Sequence, residues 1–131
     1  MGSRTATFTK WLVGEGPEMV GVAGGVVGDG AYSGRVLELI PGDPTTVVRA
    51  VYRLAGPEHD FTVLMYVEQT GLIATLSGVI TDGWCKGSLV RGEYTEIQYE
   101  HDGITTDAWQ GTIDIVEAPV ESQAGSVVQP A

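Results

Sequence analysis

A single all-β domain, about eight antiparallel strands closed into a small barrel, is what this chain predicts, and three observations carry that prediction. Runs rich in β-branched and aromatic residues recur along almost the whole length, separated by turn residues. Two of the separators, in "TDGW" and "HDGI", place Asp-Gly where a two-residue type I′ turn wants positive φ at both positions. No window holds the i, i+3, i+4, i+7 apolar spacing of a helix, and the 19 glycines would weaken most helices.

The strands read, in order, near 5–13, 19–27, 32–40, 45–54, 60–69, 72–81, 84–101 and 104–116. "PGDP" makes a stiff corner between the third and fourth, "AGPEH" a longer loop between the fourth and fifth, and "QTGL" a tight turn before the sixth. Consecutive hairpins give a meander, and closing it removes exposed sheet edges. Glycines within strands, such as Gly78, Gly87, Gly92 and Gly111, supply the kinks that closure needs. A two-sheet sandwich is the architectural alternative. The domain spans 1–117, and "APVESQAGSVVQPA" reads as a flexible tail over 118–131.

Tight turns fix register, and register decides which side chains share a face. A turn at Asp102-Gly103 pairs Gln98 with Asp107, Glu96 with Trp109, Tyr94 with Gly111, Gly92 with Ile113 and Val90 with Ile115. Arg91 against Asp114, Glu93 against Thr112 and Thr95 against Gln110 form the other, solvated face. The first set therefore points inward, with Glu96, Gln98 and Asp107 towards one end. Carrying the same rule through Asp82-Gly83 and Thr70-Gly71 turns Leu64, Tyr66, Glu68, Ile73, Thr75 and Ser77 inward. It leaves Phe61, Val63, Met65, Val67, Leu72, Leu76, Ile80 and Leu89 outside. That outer band is the greasier one. Three resolutions present themselves: the band is a subunit interface, a bulge at Gly78 or Gly87 exchanges the faces, or the band is the true core. The first is preferred, and it implies a homo-oligomer, in the simplest case a dimer.

Bulk properties exclude several function classes. A net charge of −10, from 17 acidic and 7 basic residues, leaves no Lys/Arg cluster for nucleic acid. One cysteine, Cys85, permits no internal disulfide and no Cys-rich zinc site, and it suits a reducing, cytoplasmic setting. No stretch is long and apolar enough for a membrane-spanning helix. The first residues lack the apolar centre of a signal peptide. His59 and His101 have no metal-binding spacing, and neither a metal nor a cofactor is expected.

"ATLSGVITDGWCKGSLVRGEYT", preceded by "RAVYRLAGPEHDFTVLMYVEQT", resembles the allene oxide cyclase type of small barrel, which includes bacterial spirotetronate-forming cyclases (Diels–Alderases). The likeness rests on an Ala-x-Tyr strand at Ala50 to Tyr52, a Gly-capped loop ending at His59, and Gly-x-x-x-x-Gly pairs framing a central hairpin. The resemblance implies a cofactor-free barrel that folds a flexible, mainly apolar substrate into a reactive shape. The plant cyclases' carboxylate, proline and cysteine constellation has no motif match here.

Two function classes follow. One is a cyclase or isomerase acting on a hydrophobic biosynthetic intermediate, a [4+2] cyclisation among its forms. The other is a non-catalytic, lipocalin-like carrier of a small lipophilic molecule; a purely structural or partner-binding β-domain stands behind both. For the enzyme, Tyr66 and Tyr94 are candidate hydrogen-bond donors, and Glu68 and Glu96 candidate acid/base groups if burial raises their pKa. Tyr52, Leu64, Trp109, Gln98, Asp107 and Ile113 are the candidate lining of the binding space. Core filling is the plainer role for the aromatics, and surface charge for the glutamates.

Overall fold

The computed structural model describes residues 4–14 and 16–116; the stretch read above as a tail lies outside them. Eight strands run β1 Thr5–Leu12, β2 Glu18–Gly25, β3 Gly30–Ile40, β4 Thr45–Ala55, β5 Asp60–Thr70, β6 Ile73–Gly83, β7 Leu89–His101 and β8 Ile104–Val116. Each pairs antiparallel with its sequence neighbour, and β1 pairs with β8, so the sheet is a closed barrel. The barrel expectation holds, and the sandwich alternative does not.

The β7–β8 hairpin has the expected register throughout, from His101 opposite Ile104 to Val90 opposite Ile115. Asp102 and Gly103 take φ of 54° and 78°, the positive pair that a type I′ turn requires. Close approach explains Gly111: a Cβ there would stand 2.2 Å from the Glu93 carbonyl oxygen and 2.6 Å from the Tyr94 Cβ.

Between β6 and β7 the expectation fails. Asp82-Gly83 is not a two-residue turn: β6 runs on to Gly83, which pairs with Phe61 of β5. The chain then reverses through Trp84 to Ser88, with Trp84 N donating to Asp60 O, Gly87 N to Ile80 O and Ser88 N to Cys85 O. Cys85 and Gly87 adopt positive φ in this loop. Val90 consequently faces Gly78, where the shorter turn would have set it against Thr75. That offset of three is odd, so the faces of β5 and β6 exchange.

The apolar band is therefore inside. Leu72 and Leu89 of that band stay exposed, whereas Phe61, Val63, Met65, Val67, Leu76 and Ile80 are all buried. Each contributes about 1.5–3 kcal/mol by leaving water. With the band in the core, it cannot serve as a subunit interface. Tyr66, Glu68 and Ile73 are exposed and Leu64 half-buried on the outer wall, which corrects their assignment to the interior.

The two ends of the barrel differ. At one, Trp84 stacks on His59 with ring centroids 3.8 Å apart and lies under the Arg4 guanidinium, above Phe61. At the other, β7 and β8 run beyond their pairing with β6 and β1, and the β3–β4 hairpin likewise runs beyond β2. These two hairpins thus rise on either side of the shorter β1–β2 edge, with β4 still paired to β5 up to Thr45, and wall a mouth.

Candidate functional site

β1 reads Thr-Ala-Thr-Phe-Thr-Lys-Trp-Leu, and strand alternation places Ala6, Phe8, Lys10 and Leu12 on one face. Ala6 and Phe8 are core residues, so Lys10 is carried into the barrel with them; it is only 4% exposed. Leu12, one step further, emerges at the mouth. A buried ammonium is costly unless paired. Among the described residues no carboxylate pairs with this one: its hydrogen bond is from Nζ to the Tyr52 hydroxyl oxygen, at 2.6 Å. Rings surround it. Nζ lies 4.3 Å from the Tyr52 ring centroid and 4.7 Å from that of Tyr94, with Phe8 and Tyr32 just under 6 Å away. Burial lowers the Lys10 pKa from 10.5 to about 7. Cation–π attraction works the other way but does not restore the lost hydration.

Lys10 forms the floor of a cavity of about 150 Å³ that opens through the mouth. Tyr52, Tyr94, Gln69 and Trp109 share its walls, with Leu12, Leu39 and Val48 towards the rim. Below Lys10 the barrel is filled by Phe8, Tyr32, Tyr52, Leu54, Phe61 and Ile113. A larger concavity of about 560 Å³ lies against the outer wall, among Thr7, Thr9, Glu93, Thr95, Gln110 and Thr112. It is open and hydroxyl-lined, whereas the smaller one encloses an ionisable group.

Positions in this wall follow from pairing. Lys10 and Trp109 are cross-strand partners on β1 and β8, so their side chains are neighbours on the inner face. The Trp109 indole Nε1 is buried without a protein hydrogen-bond partner. Tyr94 Oη donates to Gln69 Oε1 at 2.8 Å. Burial, helped by the charge of Glu96, pushes the Tyr94 phenol up to about 12. Burial likewise raises Tyr52 and Tyr32 well above the ordinary value, so all three phenols stay protonated at neutral pH.

The residues anticipated from sequence divide into four groups. Tyr52, Tyr94 and Trp109 line the cavity, and Glu96 is half-buried close to Tyr94. Ile113 is fully buried in the packed half below. Gln98 and Asp107 stand exposed on the projecting β7–β8 hairpin, with Gln98 Nε2 donating to Asp107 Oδ1. Tyr66 and Glu68 meet only on the outer wall, where Tyr66 Oη donates to Glu68 Oε2 at 3.1 Å. Sequence reasoning missed Lys10. Its signal was the alternation Ala6, Phe8, Lys10, Leu12, in which a lysine occupies an otherwise apolar face.

Among the described residues no three His, Cys, Asp or Glu side chains gather as metal ligands would. No family model, curated protein or solved structure matches the chain.

Proposed function

We propose that the barrel admits a small, mainly apolar molecule through the mouth between its projecting hairpins and rearranges it as a cyclase or isomerase without a cofactor. Lys10 is the group that orients the substrate or takes its proton. One observation carries this reading: an amine without a carboxylate partner sits at the bottom of an apolar cavity, where it costs stability and gains no ion pair. An amine poised near neutral pH suits general base work, because both protonation states are populated. Tyr52 and Trp109 supply hydrogen bonds that would hold a substrate oxygen against it.

The cavity is below the usual 300–1,000 Å³ of a drug-sized site. A compact substrate would fit within it, and a long one would leave its remainder between the hairpins, against Leu12 and Leu39. A [4+2] cyclisation of the kind suggested by the resemblance belongs to the second case. The exposed apolar rim, with Leu39 at 55% exposure, also supports the carrier reading, in which a lipophilic ligand is held and not converted.

Turnover and affinity separate the two. In a screen of small apolar carbonyl and polyene compounds, an enzyme of this design yields a changed product. Lys10→Met should then lower turnover by about a hundredfold or more with affinity nearly retained. Binding with no product from any compound, and equal behaviour of Lys10→Met, would leave the carrier reading alone standing.

A further inference from the structure

We infer that Lys10 is a covalent nucleophile, and that the ligand class it selects is a small aldehyde or ketone captured as an imine at the floor of the mouth cavity. This rests on the reading of that cavity as a ligand site and adds the chemical class and the bond. Two independent features point to it. The first is the primary amine itself, nearly buried yet facing the cavity and hydrogen-bonded to a phenol rather than to a carboxylate. A lysine engaged with a carboxylate would be held as ammonium, without a free lone pair. The second is the Trp109 Nε1, a buried donor with no protein partner, on the residue directly across from Lys10. A donor beside an amine is what a carbonyl needs: the oxygen accepts from the indole while the carbon meets the nitrogen.

The chemistry balances with the groups present. The lone pair of neutral Lys10 attacks the carbonyl carbon, and the π pair of the C=O bond moves onto oxygen. A proton passes from nitrogen to that oxygen, with the Tyr52 hydroxyl, 2.6 Å from Nζ, placed to relay it. The carbinolamine then takes up one more proton and loses its oxygen as water, leaving a protonated C=N bond. No oxidant or reductant is consumed. The iminium so formed makes a neighbouring C–H acidic and a conjugated C=C electron-poor. Those are the two activations that an isomerase or a cyclase would use. The aromatic walls favour the cationic adduct.

Only two lysines are present, Lys10 and the exposed Lys86, which makes the experiment clean. The full chain is incubated near neutral pH with benzaldehyde and sodium cyanoborohydride, which reduces an imine to a stable benzyl amine. Peptide mass mapping then follows labelling of Lys10, Lys86 and the N-terminal amine over time. An ordinary exposed lysine is almost wholly ammonium at this pH. Lys10 is therefore expected to label at least about tenfold faster than Lys86, and Lys10→Met to lose that fast phase. Should Lys10→Met fail to fold, the internal comparison with Lys86 in the unaltered protein decides. In parallel, benzyl alcohol, of the same shape but without a carbonyl, is titrated while the indole N–H resonance of Trp109 is followed. A shifted Trp109 signal with Lys10 unlabelled overturns the covalent inference and leaves the ligand site intact. Neither labelling nor a shift overturns both.

Discussion

The substitution Lys10→Met, measured across pH, tests the central physical statement about this barrel. Between about 7 and 10.5 the folded protein holds Lys10 neutral while the unfolded chain holds it protonated. Unfolding therefore takes up a proton in that window, and stability rises with pH. Below about 7 both states are protonated and the full cost of the buried charge is present; above 10.5 neither is, and the cost is gone. The window spans roughly 3.5 pH units at about 1.4 kcal/mol each, which sets a ceiling near 5 kcal/mol. Between about pH 6 and pH 9, where tyrosine ionisation does not yet intrude, about 2–3 kcal/mol of that should be visible.

Methionine fills similar space and has no charge to bury. It also leaves the Tyr52 hydroxyl without its partner, a cost of about 1–3 kcal/mol that does not vary over this range. Repulsion among the excess acidic residues, from a net charge of −10, is common to both proteins and cancels in their difference. Urea unfolding at several pH values, extrapolated linearly with matched slopes, gives that difference directly. Lys10→Met should be the more stable protein at pH 6, and its advantage should shrink or reverse by pH 9. A difference that stays flat within about 0.5 kcal/mol would refute the claim that an unpaired amine is buried here.

Three further outcomes follow from the geometry. Tyr94→Phe with Glu96→Gln removes the phenol that holds Gln69 and the carboxylate beside it, and should cut product formation by about a hundredfold while ligand affinity is kept; unchanged kinetics would take both groups out of the mechanism. Tyr66→Phe with Glu68→Gln lies on the outer wall, so ligand binding and turnover should match the parent and stability should shift by no more than about 0.5 kcal/mol in urea unfolding; loss of activity would return those residues to the interior. Gly111→Val drives a side chain into the Glu93 carbonyl and the Tyr94 Cβ, and thermal unfolding should show a loss of several kcal/mol, against about 1 kcal/mol for Gly103→Ala, whose positive φ is strained but whose surroundings are open.

The eight strands and the whole β7–β8 register were legible because their signals are local. Asp102-Gly103 admits one turn geometry, and alternation does the rest. The faces of β5 and β6 were not, because their relation to β7 passes through the Trp84–Ser88 reversal, where "TDGW" imitates a hairpin turn. Gly83 does take positive φ, at 86°, but Asp82 does not; Cys85 and Gly87 supply the others. One misplaced turn moved Tyr66, Glu68 and Leu64 across the wall, since an odd offset inverts every residue beyond it. Composition pointed to the right answer: Phe61, Val63, Met65, Val67 and Leu76 make a better core than Tyr66, Glu68, Thr75 and Ser77. Lys10 was overlooked for another reason. A lysine near a chain end is taken as solvated by default, and only its place two residues beyond Phe8 contradicts that.

The asymmetry of the two ends links this packing to direction. Stacked His59 and Trp84, with Arg4 over them, lie above Phe61 at one end, and the large buried side chains Tyr32, Tyr52 and Phe8 fill the middle. Free space begins where Lys10 replaces an apolar residue in the β1 alternation. The same position is where pairing stops holding β1 to β8, at Lys10 opposite Trp109. Beyond that rung, β7 and β8 pair as strands with each other and no longer with β6 and β1, and β3 and β4 extend past β2. The amine thus sits at the last closed layer of the barrel, with packed side chains behind it and two hairpins ahead. A ligand entering between those hairpins passes Asp107 on the β7–β8 hairpin and reaches Lys10 at the depth where water gives way to aromatic rings and an electrostatic contact is strongest.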